Sequence, residues 1–235
     1  MMSVQRLAGT WAVVPVKRLD RAKSRLAADL SSAQRVQLAE AMLQDVLDVL
    51  ATVPGLSGTL VVTDDPVAVS FVRQRQMLVL PDPAVAETND AVRHGLAWLS
   101  ERGAAAAVVI PGDVPFVSAE EIGAVLHRLR AVDVVLVPAA RDGGTNMLAV
   151  SPPGVLPVAY GGDSFERHRR AALRAGLEII ILHLAGAGHD IDVASDLLDA
   201  GSRRPPNRTS ALLGSWHGQV TARGPQDELR EVCAP

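Results

Sequence analysis

Short aliphatic, β-branched runs alternate with longer stretches of helical period along most of the chain, and this alternation constrains the fold more than any other feature. Residues 11–16, 59–63, 77–80, 107–110, 132–137, 147–150 and 178–184 read as strands. Most are continuously apolar, the pattern of strands covered on both faces. Helices fill the intervals. The clearest spans residues 31–51, where Ser31 and Gln34 make a capping box and Leu38, Met42, Val46 and Val49 with Leu43, Leu47 and Leu50 form a broad apolar face. Residues 88–101 carry Val92, Leu96 and Leu99 on one side; residues 118–130 open with a second capping box, Ser118 and Glu121. Residues 163–175 and 192–200 are two more. Strand–helix alternation of this kind predicts a three-layer α/β domain with a largely parallel sheet.

Composition narrows the functional classes. The chain has 235 residues, 48% of them hydrophobic and only 3% aromatic, so Val, Leu, Ile and Ala must build the core. A formal charge of −3, from 23 basic and 26 acidic side chains, argues against a nucleic-acid or membrane-surface binder. The single cysteine, Cys233, excludes a disulfide scaffold and a thiolate zinc site. No run approaches the roughly 18 apolar residues of a membrane span. The apolar run 11–16 is too short for a secretory signal and leads into Lys17 and Arg18, so the expected location is cytoplasmic. After Gly201 the chain turns rich in Gly, Pro, Arg, Gln and Glu, with Leu212, Leu213 and Trp216 as its apolar cluster. The expected division is one domain over residues 1–200 and a poorly ordered tail over 201–235, a docked strap being the alternative.

Four constellations could carry chemistry. In a parallel sheet ligands bind at the carboxyl ends of the strands. Lys17, Lys23 and Arg25 follow the first strand there, within reach of phosphates, although a solvated basic loop reads the same way and no Walker loop is present. Pro111-Gly112-Asp113 ends a buried strand and sets a carboxylate at the same edge; a plain turn or helix cap is the other reading. In His189-Asp190-Ile191-Asp192, an extended backbone turns both carboxylates to one side, as a hard cation such as Mg²⁺ requires, whereas a cap and a turn residue would explain them equally. His189 is not expected to be a ligand. Finally, Arg141-Asp142-Gly143-Gly144-Thr145-Asn146 and Tyr160-Gly161-Gly162-Asp163-Ser164 expose backbone N–H groups and hydroxyls suited to a second anion, or form two tight turns. Asp64-Asp65 invites comparison with a phosphoacceptor receiver domain, but the pair follows the second strand, so Asp65-Pro66 reads as a helix start.

In chain order, Val-Pro-Val-Lys with Ala-Lys-Ser-Arg-Leu, Pro-Gly-Asp-Val-Pro, Asp-Gly-Gly-Thr-Asn, Gly-x-x-Ser-Phe-x-x-His and Asp-x-Asp resemble the guanylyltransferases of coenzyme F-420 biosynthesis, from about Trp11 to Ala200. The resemblance implies a single-domain, GT-A-like nucleotidyltransferase fold with a mostly parallel, mixed central sheet. It implies GTP as donor, phosphoenolpyruvate or 2-phospho-L-lactate as acceptor, Mg²⁺ as cofactor, and a downstream transferase that takes the unstable product; the alternatives are a nucleotidyltransferase of the same fold with another phosphorylated acceptor, a sugar phosphate or molybdopterin, and a non-catalytic nucleotide-binding regulator. By matching positions, Asp113, Asp190 and Asp192 are the implied metal ligands. Thr145, Gly161 and Ser164 are the implied acceptor binders, and Pro15, Lys17, Asn89 and Gly112 the nucleotide side. Lys17, Lys23 and Arg25 would hold the triphosphate and the leaving pyrophosphate. Thr88 in place of the usual Leu before Asn89, and an acidic Asp163 in the Gly-x-x-Ser loop, depart from the family pattern.

Overall fold

A computed structural model of the chain describes residues 7–82, 87–202 and 206–216. Seven strands form one sheet in the order β3-β2-β1-β4-β6-β5-β7. They are β1 (Thr10–Pro15), β2 (Leu56–Val62), β3 (Leu78–Leu80), β4 (Ala106–Val109), β5 (Val134–Pro138), β6 (Thr145–Val150) and β7 (Ile179–Ile181). Only β6 runs antiparallel to its neighbours β4 and β5, so the sheet is mixed and mostly parallel. The reversal has a geometric consequence. The start of β6, at Thr145, lies at the same edge as the carboxyl ends of the other strands.

Seven helices accompany the sheet among the described residues: α1 (Ser32–Leu50), α2 (Pro66–Gln74), α3 (Thr88–Glu101), α4 (Ala119–Leu129), α5 (Ser164–Arg174), α6 (Ala194–Ser202) and α7 (Arg208–Ser215). Successive strand residues point to opposite faces. Ala12 and Val14 join a core with α1, α2, α4, α6 and α7, whereas Trp11 and Val13 join one with α3 and α5. These two cores make the three layers. Each buried leucine of α1, such as Leu38, Leu43 and Leu47, removes enough apolar surface from water to contribute about 1.5–3 kcal/mol.

The expected helix starts have physical counterparts. Gln34 N–H donates to Ser31 Oγ at 3.3 Å while Ser31 N–H donates to Gln34 Oε1 at 3.0 Å. Ser118 and Glu121 repeat the arrangement at α4. Asp65 caps α2, accepting from Val67 and Ala68 N–H, both at 2.9 Å, and its other oxygen takes Leu19 N–H at 3.0 Å. Its carboxylate is thus a cap and a loop anchor, as the Asp-Pro reading requires.

Strand ends shift by up to three residues, β2 beginning at Leu56, β5 at Val134 and β6 at Thr145, and three further boundaries differ from expectation. β7 covers only Ile179–Ile181 of the run 178–184, because it is an edge strand paired to β5 alone. α6 begins at Ala194 rather than Asp192, because Asp192 and Val193 N–H both donate to Asp196 Oδ2 at 2.9 Å and are held in a turn. The third is the tail. Composition predicts poor order from residue 201, yet α7 lies against α1 and α6. Asp45, buried in the apolar face of α1, accepts Arg208 N–H at 3.1 Å, Thr209 N–H at 2.8 Å and Thr209 Oγ at 2.7 Å. Leu213 and Trp216 are buried in the same core. Residues 217–235 of the expected tail lie outside the described residues.

Candidate active site

β1, β2, β4 and the start of β6 deliver their polar residues to one edge. A cleft of about 500 Å³ opens there, lined by Pro15, Lys17, Lys23, Arg25, Gly112, Asp113 and Asp192, with Asp64, Asp82 and Thr88 on the β2–β3 side. Six of the chemistry-bearing positions from the first strand and the Pro-Gly-Asp turn therefore share one cavity with Asp192. A smaller cavity of about 70 Å³ shares Arg25 and Asp192 with it and adds Arg141, Asp142 and Asp190.

Lys23 is the centre of the charge arrangement. It sits between two 3-10 turns, Leu19–Arg21 and Ser24–Leu26, in a left-handed backbone conformation (φ 54°, ψ 41°). That conformation is costly for a residue with a Cβ. Its ammonium is almost fully buried and donates to Asp113 Oδ2 and to Asp192 Oδ1, both at 2.7 Å. Arg25, exposed, reaches the other oxygen of Asp192 at 3.2 Å. Burial works against the charge of Lys23, but Asp113 and Asp192 outweigh it and raise the lysine pKa. Burial likewise opposes ionisation of Asp192, and Lys23 followed by Arg25 holds it below the usual carboxylate range.

Asp190 stands slightly apart. Asn146, at the start of β6, donates to its Oδ1 at 3.3 Å. Burial, joined by the negative charge of Asp113 and Asp192, pushes Asp190 upward, against the Asn146 bond. Ile191 is buried between the two acids, as the alternating backbone predicts, and its N–H donates to the Asp113 carbonyl at 3.3 Å. The expected i, i+2 pair is therefore present, but its members take different partners. His189 Nδ1 lies 3.0 Å from the Ala185 carbonyl.

A magnesium ion asks little of such a donor set. Among the described residues no three His, Cys, Asp or Glu side chains gather tightly enough to cage a metal. Mg²⁺ does not need such a cage; it is usually held by one or two carboxylates with waters and substrate phosphates completing six ligands. Asp113 and Asp192 already converge on one cation, the Lys23 ammonium, through hard oxygen atoms. The residues fit the ion.

The implied acceptor positions form a second cluster. Thr145 and Ser164, both buried, lie with their hydroxyl oxygens 3.4 Å apart. Gly161, at φ +115°, lets the loop turn, and its carbonyl accepts Ser164 N–H at 3.0 Å. Gly143 accepts Phe165 N–H at 3.1 Å, so the two glycine-rich segments meet. Asp163 occupies a left-handed position (φ 54°) before α5 and makes no cap bond. Asn89, expected on the nucleotide side, has its amide engaged by the loop before α5: its Oδ1 accepts Tyr160 N–H at 2.6 Å and its Nδ2 donates to the Tyr160 carbonyl at 3.1 Å. Sequence reasoning assigned no role to Asn146 or His168, and read Glu121 only as a helix cap. The first two stand inside the quoted Asp-Gly-Gly-Thr-Asn and Ser-Phe-x-x-His motifs, which was the available signal.

Comparison with known proteins agrees with this geometry. Residues 10–201 match the family model described as guanylyl transferase CofC like. A phosphoenolpyruvate guanylyltransferase of Conexibacter woesei is 40% identical over 190 residues, covering 80% of this chain and 85% of that protein. A 3-phospho-D-glycerate guanylyltransferase of Phenylobacterium zucineum is 35% identical, covering 88% of this chain and 99% of that protein. Among solved structures, a protein from Desulfovibrio desulfuricans G20 assigned as a nucleotide-diphospho-sugar transferase superposes with a TM-score of 0.76 at 18% identity, covering 92% of this chain and 98% of that one. Among the described residues no helix is long and apolar enough to cross a membrane. With the fold, the edge cluster and the match over residues 10–201 in agreement, the chain belongs to the CofC-like guanylyl transferases, nucleotidyltransferases of GT-A-like fold.

Proposed function

We propose that the protein transfers GMP from GTP to the phosphate of phosphoenolpyruvate, or of a closely related three-carbon acid such as 2-phospho-L-lactate, and releases pyrophosphate, as a step of coenzyme F-420 biosynthesis. The observation that carries this reading is the cleft in which Lys17, Lys23 and Arg25 face Asp113 and Asp192, beside a separate hydroxyl-bearing loop. The relatives named for phosphoenolpyruvate and for 3-phospho-D-glycerate support a phosphorylated three-carbon acid as the acceptor class.

The chemistry follows from charge. An acceptor phosphate oxygen attacks the α-phosphorus of GTP. The bond from that phosphorus to the bridging oxygen breaks, and pyrophosphate leaves with the electron pair. No general base is needed, because a phosphate monoester is largely ionised at pH 7, its second pKa being about 6. The difficulty is bringing two polyanions together. Lys17 and Arg25 offer exposed cationic groups to the triphosphate. Lys23 has two alternatives, the carboxylates it now holds or the phosphates of a bound nucleotide. Asp113 and Asp192, with Asp190 beside them, would hold Mg²⁺, which when bound neutralises and orients the phosphates of both substrates. Thr145, Gly161 and Ser164 position the acceptor anion. The product is itself a phosphoric anhydride, suited to a downstream transferase that uses it at once in the cytoplasm.

Pyrophosphate release is the direct test. GTP and ATP are crossed with phosphoenolpyruvate, 2-phospho-L-lactate, 3-phospho-D-glycerate, a sugar phosphate and no acceptor, in the presence of Mg²⁺. Release is expected only with GTP and one three-carbon acid. Release with a sugar phosphate instead would replace the acceptor class and leave the nucleotidyltransferase reading standing.

A further inference from the structure

His168 is the one fully buried histidine among the described residues, and the mechanism above does not use it. It sits on α5, one turn after Ser164. Both ring nitrogens are engaged. Ala159 N–H donates to Nε2 at 2.9 Å, and Nδ1 lies 3.0 Å from Thr145 Oγ1. A backbone N–H can only donate, so Nε2 carries no proton and the ring hydrogen is on Nδ1. His168 therefore donates to the Thr145 oxygen. Burial, with Arg167 nearby, pushes its pKa down to about 4, which keeps the ring neutral and this tautomer in place at pH 7. Tyr160 packs edge-on against the ring at 5.2 Å and 74°, and is itself clamped from α3 by Asn89.

The tautomer decides what the neighbouring hydroxyls can do. Thr145 and Ser164 bring two hydroxyl hydrogens, and only one of them can lie between their oxygens. With Nδ1–H donating to Thr145, the other hydrogen is left over and must point to a further acceptor. With the opposite tautomer, Thr145 would donate to the ring and Ser164 to Thr145, leaving nothing for a ligand.

We propose that His168 is the positioning residue of the acceptor subsite: held as a donor by Ala159, it leaves the Thr145–Ser164 pair with one hydroxyl hydrogen for an anionic group of the phosphorylated acid. The inference rests on the reading that these hydroxyls bind the acceptor. It adds the residue that sets their polarity, and hence the preference of the loop for an anion.

Two substitutions separate the ring's two bonds. In His168→Asn the amide nitrogen takes the place of Nδ1 and keeps the donor to Thr145, while the acceptor for Ala159 is lost. In His168→Gln the amide oxygen takes the place of Nε2 and keeps the bond from Ala159, while the donor to Thr145 is lost. Steady-state kinetics should show an acceptor KM raised about tenfold in the Gln variant and within about threefold of wild type in the Asn variant, a tenfold change being one ordinary hydrogen bond. The KM for GTP should stay unchanged in both. Equal acceptor KM values in the two variants, or parallel losses for GTP and acceptor, would show that His168 merely fills space. Should neither variant fold, Thr145→Val and Thr145→Ser carry the same question. Val should raise the acceptor KM with an intact fold and Ser should restore it; an unchanged KM in Val overturns the proposal. Wild-type protein that turns over no phosphorylated acid overturns the acceptor reading itself, a different result from wild-type turnover that His168 does not affect.

Discussion

Lys23 adopts a backbone conformation that costs a non-glycine residue about 1 kcal/mol or more, and in return its ammonium meets two carboxylates at 2.7 Å. The ammonium and a divalent cation would compete for the same oxygens. Lys23→Met should therefore bind Mn²⁺ without nucleotide at least about tenfold tighter than wild type, a change of about 1.4 kcal/mol, read from the free-ion signal in electron paramagnetic resonance. Equal affinities would show that the lysine does not occupy the ion's place. His168 makes a prediction of a different kind. Its pKa falls to about 4 in the folded chain from an ordinary 6.5. Folding excludes the proton, so the stabilisation is present above pH 6.5 and is lost as pH falls toward 4. Between pH 7 and pH 5 this amounts to about 2 kcal/mol. Urea unfolding at the two pH values should show a fall larger by about that amount in wild type than in His168→Asn; parallel falls would remove the argument. Legibility at this scale was uneven. The identities of Lys23, Asp113, Asp190 and Asp192 stood out because each follows a strand. The direction of each side chain did not, because Asn89 and Lys23 choose partners 71 to 169 residues away.

At the scale of elements, local signals were the readable ones. Capping boxes depend on residues three apart, and both that the sequence announces are formed. What sequence could not show is a cap residue with a second task. Glu121 also accepts Gly186 N–H at 2.6 Å and Ala187 N–H at 3.1 Å, tying the segment before Asp190 and Asp192 to α4. Gly186 is required there, since a Cβ would lie 2.0 Å from the Phe116 carbonyl oxygen. Glu121→Ala should thus lower stability by about 1–2 kcal/mol and reduce turnover as well, whereas an ordinary exposed cap would affect stability alone. Differential scanning calorimetry together with kcat distinguishes the two. The docking of α7 escaped detection for the same physical reason. A local box of Asn207 and Ser210 caps its N-terminus, but what ties it to the domain is distant: Asp45 of α1, an acid that reads as a mere interruption of an apolar face, accepts the Arg208 and Thr209 N–H groups, and Asn207 Nδ2 donates to the Pro115 carbonyl at 2.7 Å beside the Asp113 turn. Neither contact leaves a periodic trace in the tail.

At the scale of the whole molecule, the layer architecture was legible because seven apolar runs separated by helical periods admit few other arrangements. The strand order and the reversal of β6 were not, since they depend on which edges pair. Yet that reversal brings the start of β6, with Thr145 and Asn146, to the edge that carries the acid cluster, where Asn146 meets Asp190. The lysine bridge described above bears on folding itself. An acid cluster that waited for a metal would repel itself in every newly made, ion-free chain. Here the counter-charge is covalently part of the polypeptide, so reaching the native state does not depend on the supply of divalent ions. Treatment with EDTA should accordingly stop turnover while the unfolding temperature stays within about 1 °C, less than the 2–4 °C shift expected for each 1 kcal/mol in a chain of this size. A protein that melted on chelation would instead count the ion among the things that hold it folded.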